Sequence, residues 1–475
     1  MAEKWFSELL LTCRKNWLPI LCCTAGLVLI IAAVLFFLYR LDQVPVQVTV
    51  VEKDITRAPE KKIAGKEEAE PSLEKITAGE FFQALRQDGT DAVNLLHPDD
   101  ATIASLEQSI QWIEKTPDDI SYPFGQESIT SGEIRKTLEA LKRIYHETRD
   151  PDLIRSRMSE TFAFYRLRQT GSSVEQGTGQ GYERKLSKPP LLLTGYFQPE
   201  KAANPVRSSG FSFPLYATPE DLISVRLKDF DPELPGTILY GRLNKNRLQP
   251  YYTRYEIDTG YILPDSLALC WLQSYVDALE IQIQGSAIID FPDGSRRFIH
   301  YAANNGRPYG SIGRWIIRNG YLPADGLDWP AIKQWAEENP ELMQEAMKAN
   351  PRYVFFKWEQ DGPLGSLGIR LTDGRSAATD QSFYPPAIPV VLQFSLPRSP
   401  EYPDWIPADS PVFEKNHGKT VFSVMVFNHD RGAAIKGPGR VDLFCGSGDR
   451  AGALAGRLKA RGELFLFLYK DVEKP

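Results

Sequence analysis

The chain has 475 residues, of which 42% are hydrophobic and 24% charged, so it is long enough for two or three globular domains with proper cores. Its net charge of −6 excludes nucleic acid as the main class of partner. The five cysteines form no CxxC pair and the five histidines are scattered, which argues against a disulfide framework and a histidine-rich metal site, although one bond between Cys270 and Cys445 stays open.

The first element in chain order is an apolar segment. No residue from Asn16 to Tyr39 is charged, and a bilayer-spanning helix needs ~20 such residues. Arg14 and Lys15 precede it, which predicts a cytoplasmic N-terminus at 1–15 and an uncleaved single-pass anchor at 16–39 in the inner membrane. A cleaved or lipidated leader is the alternative. Either interpretation exports the body to the periplasm.

A tether and a helical region are expected next. Residues 40–75 are predicted to be a flexible tether, because 52–75 is charged, contains proline and is poor in large apolar groups. A capping box from Thr130 to Glu133 then predicts the start of a helix. Its apolar stripe comprises Ile134, Leu138, Leu141 and Tyr145. The stretch "SETFAFYRLRQTG" at 159–171 is also predicted to be helical.

Beyond residue 190 the pattern becomes β-like. Short apolar runs separated by glycine and proline turns predict strands at "LLLTGYFQPE", "RYVFFKW", "LGIRLT", "IPVVLQF", "VFSVMVF" and "ELFLFLY". One helical stretch interrupts them, "DWPAIKQWAEENPELMQEAMKAN". The predicted fold class is therefore mainly β with a helical N-terminal part, built from barrels rather than a doubly wound sheet.

Three aspartates lie at edges of predicted strands. Asp442 is inside "RVDLF", where partial desolvation should raise its pKa and suit it to general acid catalysis. Asp430 ends the run "VFSVMVFNHD", and Asp380 lies between two β-like stretches. Each of them could instead cap a turn by accepting backbone hydrogen bonds.

The loop "GAAIKGPG" lies between two of these aspartates. It lacks the GxxxxGK[ST] pattern of a nucleotide-binding loop, so a tight turn is favoured over a phosphate cradle. Its Lys436 is expected to point at a cleft or a neighbouring carboxylate, or simply into water.

A second unusual stretch, "EIQIQGSAIIDFPDGSRRFIHYAANNGRPYGSIG", is rich in groups that hydrogen-bond sugars or cover their C–H faces. In it Gln282 and Gln284 alternate with apolar residues. Polar β-hairpins have a similar composition. The candidate substrate-binding residues are Thr194, Tyr196, Gln284, Gly285, Ser286, Asn305 and Tyr309.

Six blocks in order resemble the membrane-bound lytic murein transglycosylase A family: "LTGYFQPE", "QIQGSAIIDFPDGS", "NNGRPYGSIG", "NPRYVFFK", "GRSAATDQSFYP" and "HDRGAAIKGPGRVDLFCGSGDRAG". The resemblance covers roughly residues 190 to 470. It implies an enzyme that cleaves the β-1,4 bond between N-acetylmuramic acid and N-acetylglucosamine in peptidoglycan without water, leaving a 1,6-anhydro end. It also implies a double-psi β-barrel with an inserted smaller β-domain and a cleft between them.

The resemblance also implies roles for residues. Asp442 would be the catalytic residue, acting first as general acid and then as general base, with Asp380, Asp430 and Lys436 in support. No cofactor is implied, and the expected partners are glycan strands and the membrane; partners among cell-wall synthesis or division proteins stay unknown. The alternatives are a hydrolase in which Asp430 or Asp380 activates water, and a peptidoglycan-binding protein without turnover.

The predicted domains follow from the same reading. Residues 76–200 form the helical region and the first barrel strands, 201–320 the inserted substrate-binding β-domain, and 321–475 the rest of the barrel, including a 3D region at about 365–470.

Overall fold

The computed structural model describes residues 72–85, 94–168, 190–260, 262–324, 327, 329–397, 402–403, 405, 419–432 and 434–470. The predicted cytoplasmic segment, the predicted membrane segment 16–39 and almost all of the predicted tether lie outside these ranges. Over the ranges just given, none of the helices combines the length and the apolar character needed to cross a bilayer.

The N-terminal part of the described chain is helical, as predicted. Its elements are β1 (Ser72–Ile76), α1 (Ala78–Leu85), α2 (Asp100–Ile113), β2 (Ser121–Phe124), β3 (Glu127–Thr130), α3 (Ser131–Glu147), α4 (Pro151–Thr161) and β4 (Phe162–Arg168). The predicted capping box is present at the start of α3, where Thr130 and Glu133 bond each other's backbone N–H groups. The apolar stripe of α3 is buried.

The helix predicted over 159–171 is wrong for Phe162–Arg168, and its last three residues lie outside the described ranges. From Phe162 the chain is extended as β4, which pairs with β1 and with β19 (Lys459–Tyr469). The physical reason is aromatic packing: the ring of Phe162 lies 4.9 Å from that of Phe467, and the ring of Phe164 lies 4.4 Å from that of Phe81. Pairing with a distant strand therefore overrides the local pattern.

Six strands form a closed ring. They are β5 (Leu191–Gln198), β15 (Ser376–Thr379), β16 (Pro389–Pro397), β17 (Lys419–Asp430), β18 (Arg440–Ser447) and β19. Their order is β19-β16-β17-β15-β18-β5, and β5 pairs again with β19, while β4 and β1 extend the sheet beyond β19. Helix α10 (Gly448–Arg457) packs against β5 and β18.

The predicted strand "LGIRLT" is wrong. Residues 367–372 form a turn with one isolated bridge between Leu364 and Arg370. Gly368 has a φ of +70°, which ends an extended run, and Gly365 packs so closely that a Cβ there would lie 2.3 Å from the carbonyl oxygen of His429. This turn covers the end of β17.

A second group of elements lies between β5 and β15 in sequence. One six-stranded sheet contains β6 (Glu200–Asn204), β7 (Phe213–Tyr216), β11 (Ala268–Leu272), β12 (Ser286–Asp290), β13 (Arg296–Asn304) and β14 (Val354–Glu359). A separate three-stranded sheet contains β8 (Ile223–Arg226), β9 (Ile238–Asn244) and β10 (Arg247–Pro250). The helices are α5 (Arg254–Gly260), α6 (Tyr275–Gln284), α7 (Ile312–Arg318), α8 (Trp329–Glu338) and α9 (Pro340–Lys348).

The helical stretch predicted around 328–350 is thus present as two helices, because Pro340 begins a new one at its N1 position. The ring and the N-terminal helices share one hydrophobic core, whereas the six-stranded sheet has a core of its own. Cys270 and Cys445 are both free and buried.

Candidate active site

Strand register brings two of the aspartates and one threonine into a row. Ala378 on β15 is the register partner of Asp430 on β17 and of Asp442 on β18, and Asp442 is in turn the register partner of Thr194 on β5. Register partners project on the same face of a sheet. Ala378, which lies between the two aspartates in this row, is small and buried, and the two carboxylates are close enough for the charge of Asp430 to act on Asp442.

Asp442 is half-buried and has one side-chain hydrogen-bond partner. The hydroxyl of Thr194 donates to Asp442 Oδ1 at 2.8 Å. Burial raises the pKa of Asp442 to about 6, against the opposing effects of the Thr194 hydrogen bond and of Arg440, and the charge of Asp430 adds to the increase. A carboxyl group with such a pKa can hold a proton near neutral pH and still reach solvent.

Asp430 lies at the end of β17 and is more strongly hydrogen-bonded. It accepts from the hydroxyl of Tyr196 at 3.0 Å and from the backbone N–H groups of Ser366 and Arg431, both at 2.8 Å. Burial nonetheless raises its pKa, in opposition to those bonds and to His300. The ring of Tyr196 also packs against Phe444, with 5.3 Å between ring centroids, so this tyrosine is held from two sides.

Asp380 clamps the glycine-rich loop rather than facing the same space. It accepts from the backbone N–H of Gly437 at 2.7 Å, and from the backbone N–H and hydroxyl of Ser382 at 3.0 and 2.7 Å. Burial opposes ionisation here too, but these donors outweigh it and lower the pKa of Asp380. Gly437 has a φ of +85°, a backbone conformation that glycine adopts readily, so the loop turns tightly at this bond.

Lys436 makes only a loose ion pair. Its Nζ lies 4.0 Å from Asp380 Oδ1, and its side chain is 72% exposed. Of the three positions foreseen for this side chain, the structure combines two: it is solvated, and it is near a carboxylate.

The polar stretch at 282–286 meets β5 from the other side. Gln282 and Gln284 lie on helix α6, which ends at Gly285 with a φ of +87°. Gln284 accepts a hydrogen bond from the backbone N–H of Phe197 at 3.2 Å, one residue from Tyr196. Ser286 follows as the first residue of β12 and is buried.

Two predicted substrate-binding residues are not brought to this place. Asn305 is fully buried, and its amide is occupied by the backbone of Tyr252, Pro351 and Tyr353 at 2.8 to 2.9 Å, so it fixes the local chain path. Tyr309 lies in the loop before α7 with 42% of its surface exposed.

Three residues that influence the surroundings of Asp430 and Asp442 were not predicted from the sequence. Ser366 acts through its backbone N–H, which no side-chain pattern reveals. Arg440 lowers the pKa of Asp442, and its position two residues earlier on the same strand face could have indicated this. His300 links the six-stranded sheet to this region, because its Nε2 lies 2.5 Å from the carbonyl oxygen of Leu364.

A cavity of about 710 Å³ lies elsewhere, behind β5. Phe197, Glu280 and Arg457 are among the residues that line it, and none of the three aspartates does.

A six-stranded ring with aspartates at adjacent strand edges, joined to a separate β-sheet, defines a 3D-domain protein with an inserted domain. The family models agree: the MltA specific insert domain matches residues 192–357 and the 3D domain matches residues 375–468. Together they span more than half of the chain. The chain belongs to the membrane-bound lytic murein transglycosylase A family, which confirms the resemblance seen in its motifs.

Individual relatives are distant. The membrane-bound lytic murein transglycosylase A of Vibrio cholerae is 29% identical over 278 residues, which are 58% of this chain and 64% of that protein. The chain therefore matches just under two thirds of that relative's length. The crystal structure of the membrane-bound lytic murein transglycosylase from Agrobacterium tumefaciens has a TM-score of 0.64 at 23% identity, over 84% of this chain and 98% of that one. The structure of Escherichia coli MltA with bound chitohexaose has a TM-score of 0.53 at 22% identity, over 77% and 89%.

Proposed function

We propose that this protein is a peptidoglycan lytic transglycosylase that cleaves the β-1,4 bond between N-acetylmuramic acid and N-acetylglucosamine and leaves 1,6-anhydro ends. The observation that supports this most is Asp442, a half-buried acid with a pKa of about 6 on the strand next to the one that ends just before Asp380. At neutral pH about a tenth of such groups carry a proton, which is enough for an acid catalyst.

In the proposed reaction, Asp442 first donates its proton to the glycosidic oxygen, and the bond from that oxygen to C1 of the muramic residue breaks. The C6 hydroxyl oxygen of the same residue then forms a bond to C1. Its proton passes to the carboxylate of Asp442, which restores the starting state. No water is consumed, so one carboxyl group serves as acid and base, whereas hydrolysing glycosidases use two.

The other site residues have supporting roles in this proposal. Thr194 orients the Asp442 carboxyl, while Tyr196 and Asp430 are held where charge develops. Asp380 keeps the glycine-rich loop in place, with Lys436 at its rim, and Gln284 with Gly285 and Ser286 lines the side of β5 nearest the inserted domain.

We further propose that the closed ring is the double-psi β-barrel of the family and that glycan lies between it and the inserted domain. The related E. coli protein has been solved with bound chitohexaose, a chain of the same backbone linkage, and this supports a glycan ligand here. Anchoring through 16–39 in the inner membrane, with the body in the periplasm, is part of the same proposal.

The test is the chemistry of the product. Digestion of purified sacculi should release muropeptides whose muramic ends are lighter by one water molecule than reducing ends, as read by mass spectrometry. Ends that are all reducing would show a hydrolase instead and overturn the proposal.

A matched variant separates catalysis from binding. Asp442→Asn should lower product release by about 10²- to 10⁴-fold, the usual contribution of a general acid, and leave binding to sacculi intact. If wild type and variant both bind sacculi and neither releases muropeptides, the protein is a binding module.

A further inference from the structure

The three-stranded sheet carries an apolar face. In its register, Val225 pairs with Leu239, Ile223 and Pro250 pair with Gly241, and Leu243 pairs with Leu248. Directly paired residues share a face of a sheet, so these seven residues lie on one side and bring no polar side chain to it.

Part of this face is turned to solvent, whereas Ile223 and Val225 are half-buried and Gly241 is buried. Leu239, Leu243 and Leu248 are 44%, 60% and 40% exposed. On the reverse face the middle of β9 packs on the body: the guanidinium of Arg242 lies 4.2 Å from the ring centroid of Tyr252, and a Cβ on Gly306 would lie 2.6 Å from Tyr240. The other reverse-face positions Ser224, Arg226 and Ile238 are exposed. Phe230, in the connection between β8 and β9, is a further large apolar side chain at 76% exposure. A concentration of exposed apolar surface of this kind marks an interaction site.

The β9–β10 hairpin is basic, whereas the connection that carries Phe230 also holds Asp229, Asp231 and Glu233. Between Ile238 and Pro250 there is no acidic residue, although the whole chain has a net charge of −6. Lys245 and Arg247 are both exposed at the turn between Leu243 and Leu248. Basic side chains beside exposed leucines complement a surface that is anionic outside and apolar beneath.

We infer that this face docks onto an anionic lipid bilayer. It is a small surface, formed by seven residues, whereas a stable protein interface takes about 20–30 residues from each partner. The inference rests on the proposed anchoring at 16–39 and not on the proposed chemistry. The chain from residue 39 to Ser72 can span at most about 120 Å, so an anchored body stays near the bilayer and a weak contact is enough.

Photocrosslinking tests this in the full chain reconstituted in vesicles of phosphatidylethanolamine with one part in four phosphatidylglycerol. A benzoylphenylalanine at position 243 should give at least about fivefold more lipid adducts than one at Ser128, an exposed position on the β2–β3 hairpin. Equal lipid adducts at the two positions, or adducts at 243 that join two copies of the chain, would overturn the inference.

Charge reversal sharpens the test. Lys245→Glu with Arg247→Glu should lower lipid adducts at 243 by about tenfold, whereas Lys136→Glu with Arg143→Glu on α3, the same change in net charge, should lower them less than twofold. Release of muropeptides from sacculi in detergent should be unaffected by either pair, which reports the fold independently. An equal loss of lipid adducts with both pairs would contradict a specific face.

Discussion

Asp380 and Asp442 lie at two adjacent strands of one sheet, yet their surroundings shift the pKa values of the two carboxyl groups in opposite directions. Asp380 is the more buried side chain and accepts three hydrogen bonds, from Gly437 and Ser382, which keep it ionised. Asp442 accepts one side-chain bond, from Thr194, and burial raises its pKa. The direction of each pKa shift therefore depends on the balance between burial and hydrogen-bond donors. Asp430 has three donors and still a raised pKa, so the number of donors alone does not decide it.

The largest expected effect on stability follows from replacing Asp442, which removes one of the two carboxyl groups in this comparison. Because its pKa of about 6 exceeds the ordinary 3.8, the native state binds more protons than the unfolded state between about pH 4 and 6, and stability falls as pH rises through that range. Asp442→Asn removes the cost of ionisation, so at about pH 8 the variant should be more stable than wild type by up to about 3 kcal/mol.

Urea unfolding at about pH 4 and pH 8 checks this. The gain should be absent at the lower pH, where Asp442 is protonated in the native state. Asp119→Asn, the same change at an exposed position, serves as the control. A gain of the same size at both pH values would contradict the argument.

At Asp380 the expected sign is reversed. Asp380→Asn places an N–H₂ group or a neutral oxygen against the donors of Gly437 and Ser382, and should lower the free energy of unfolding by about 2 kcal/mol at neutral pH. Because the pKa of Asp380 is lowered, this loss is full above the ordinary 3.8 and shrinks as pH falls below it. Denaturant titrations of wild type and variant at neutral pH and near pH 3 measure it. An unchanged midpoint at neutral pH would show that the clamp is unimportant.

A smaller effect is expected from the single donor to Asp442. Thr194→Val deletes that hydroxyl, so the pKa of Asp442 should rise further, and the pH above which activity declines should move upward. The loss of orientation should lower kcat/KM by about tenfold at the optimum. Thr194→Ser keeps the hydroxyl and should retain the wild-type pH profile. If the Thr194→Val variant kept the wild-type pH profile of activity, the hydroxyl of Thr194 would not influence the pKa of Asp442.

Much of the local structure was readable from the sequence, because it depends on neighbours in the chain. The capping box at Thr130 and the strand ending at Asp430 are of this kind. The alignment of Asp430, Ala378, Asp442 and Thr194 across four strands could not be predicted in this way. The register between these distant segments depends on closure of the ring and not on the local sequence of any one strand. The helical placement of Gln284 also escaped, because two glutamines alternating with apolar residues fit a strand as well as a helix end.

The burial of individual side chains also could not be predicted from the sequence. Asn305 has the chemistry of a sugar-binding residue, but its complete burial and its bonds to four backbone positions appear only once the surrounding loops are in place. The residue type shows how many hydrogen bonds such a side chain can make, but not whether they are already made to other groups of the protein. The same holds for Ser366, whose contribution is a backbone N–H positioned by the turn around Gly365.

The smallest expected effect concerns Lys436. We expect its removal to change stability and activity very little. Its ammonium group is 4.0 Å from Asp380 and its side chain is 72% exposed, and exposed ion pairs of this kind contribute about 0–1 kcal/mol. Asp380 is already held by three donors, so Lys436→Ala should leave the midpoint of unfolding almost unchanged and lower the rate of muropeptide release by less than about twofold. Release assays on sacculi, with Lys459→Ala as a matched exposed lysine, measure this. A tenfold loss of release at unchanged stability would contradict this prediction. It would mean that Lys436 contacts the glycan directly, because its loose ion pair with Asp380 is too weak to affect the reaction that strongly.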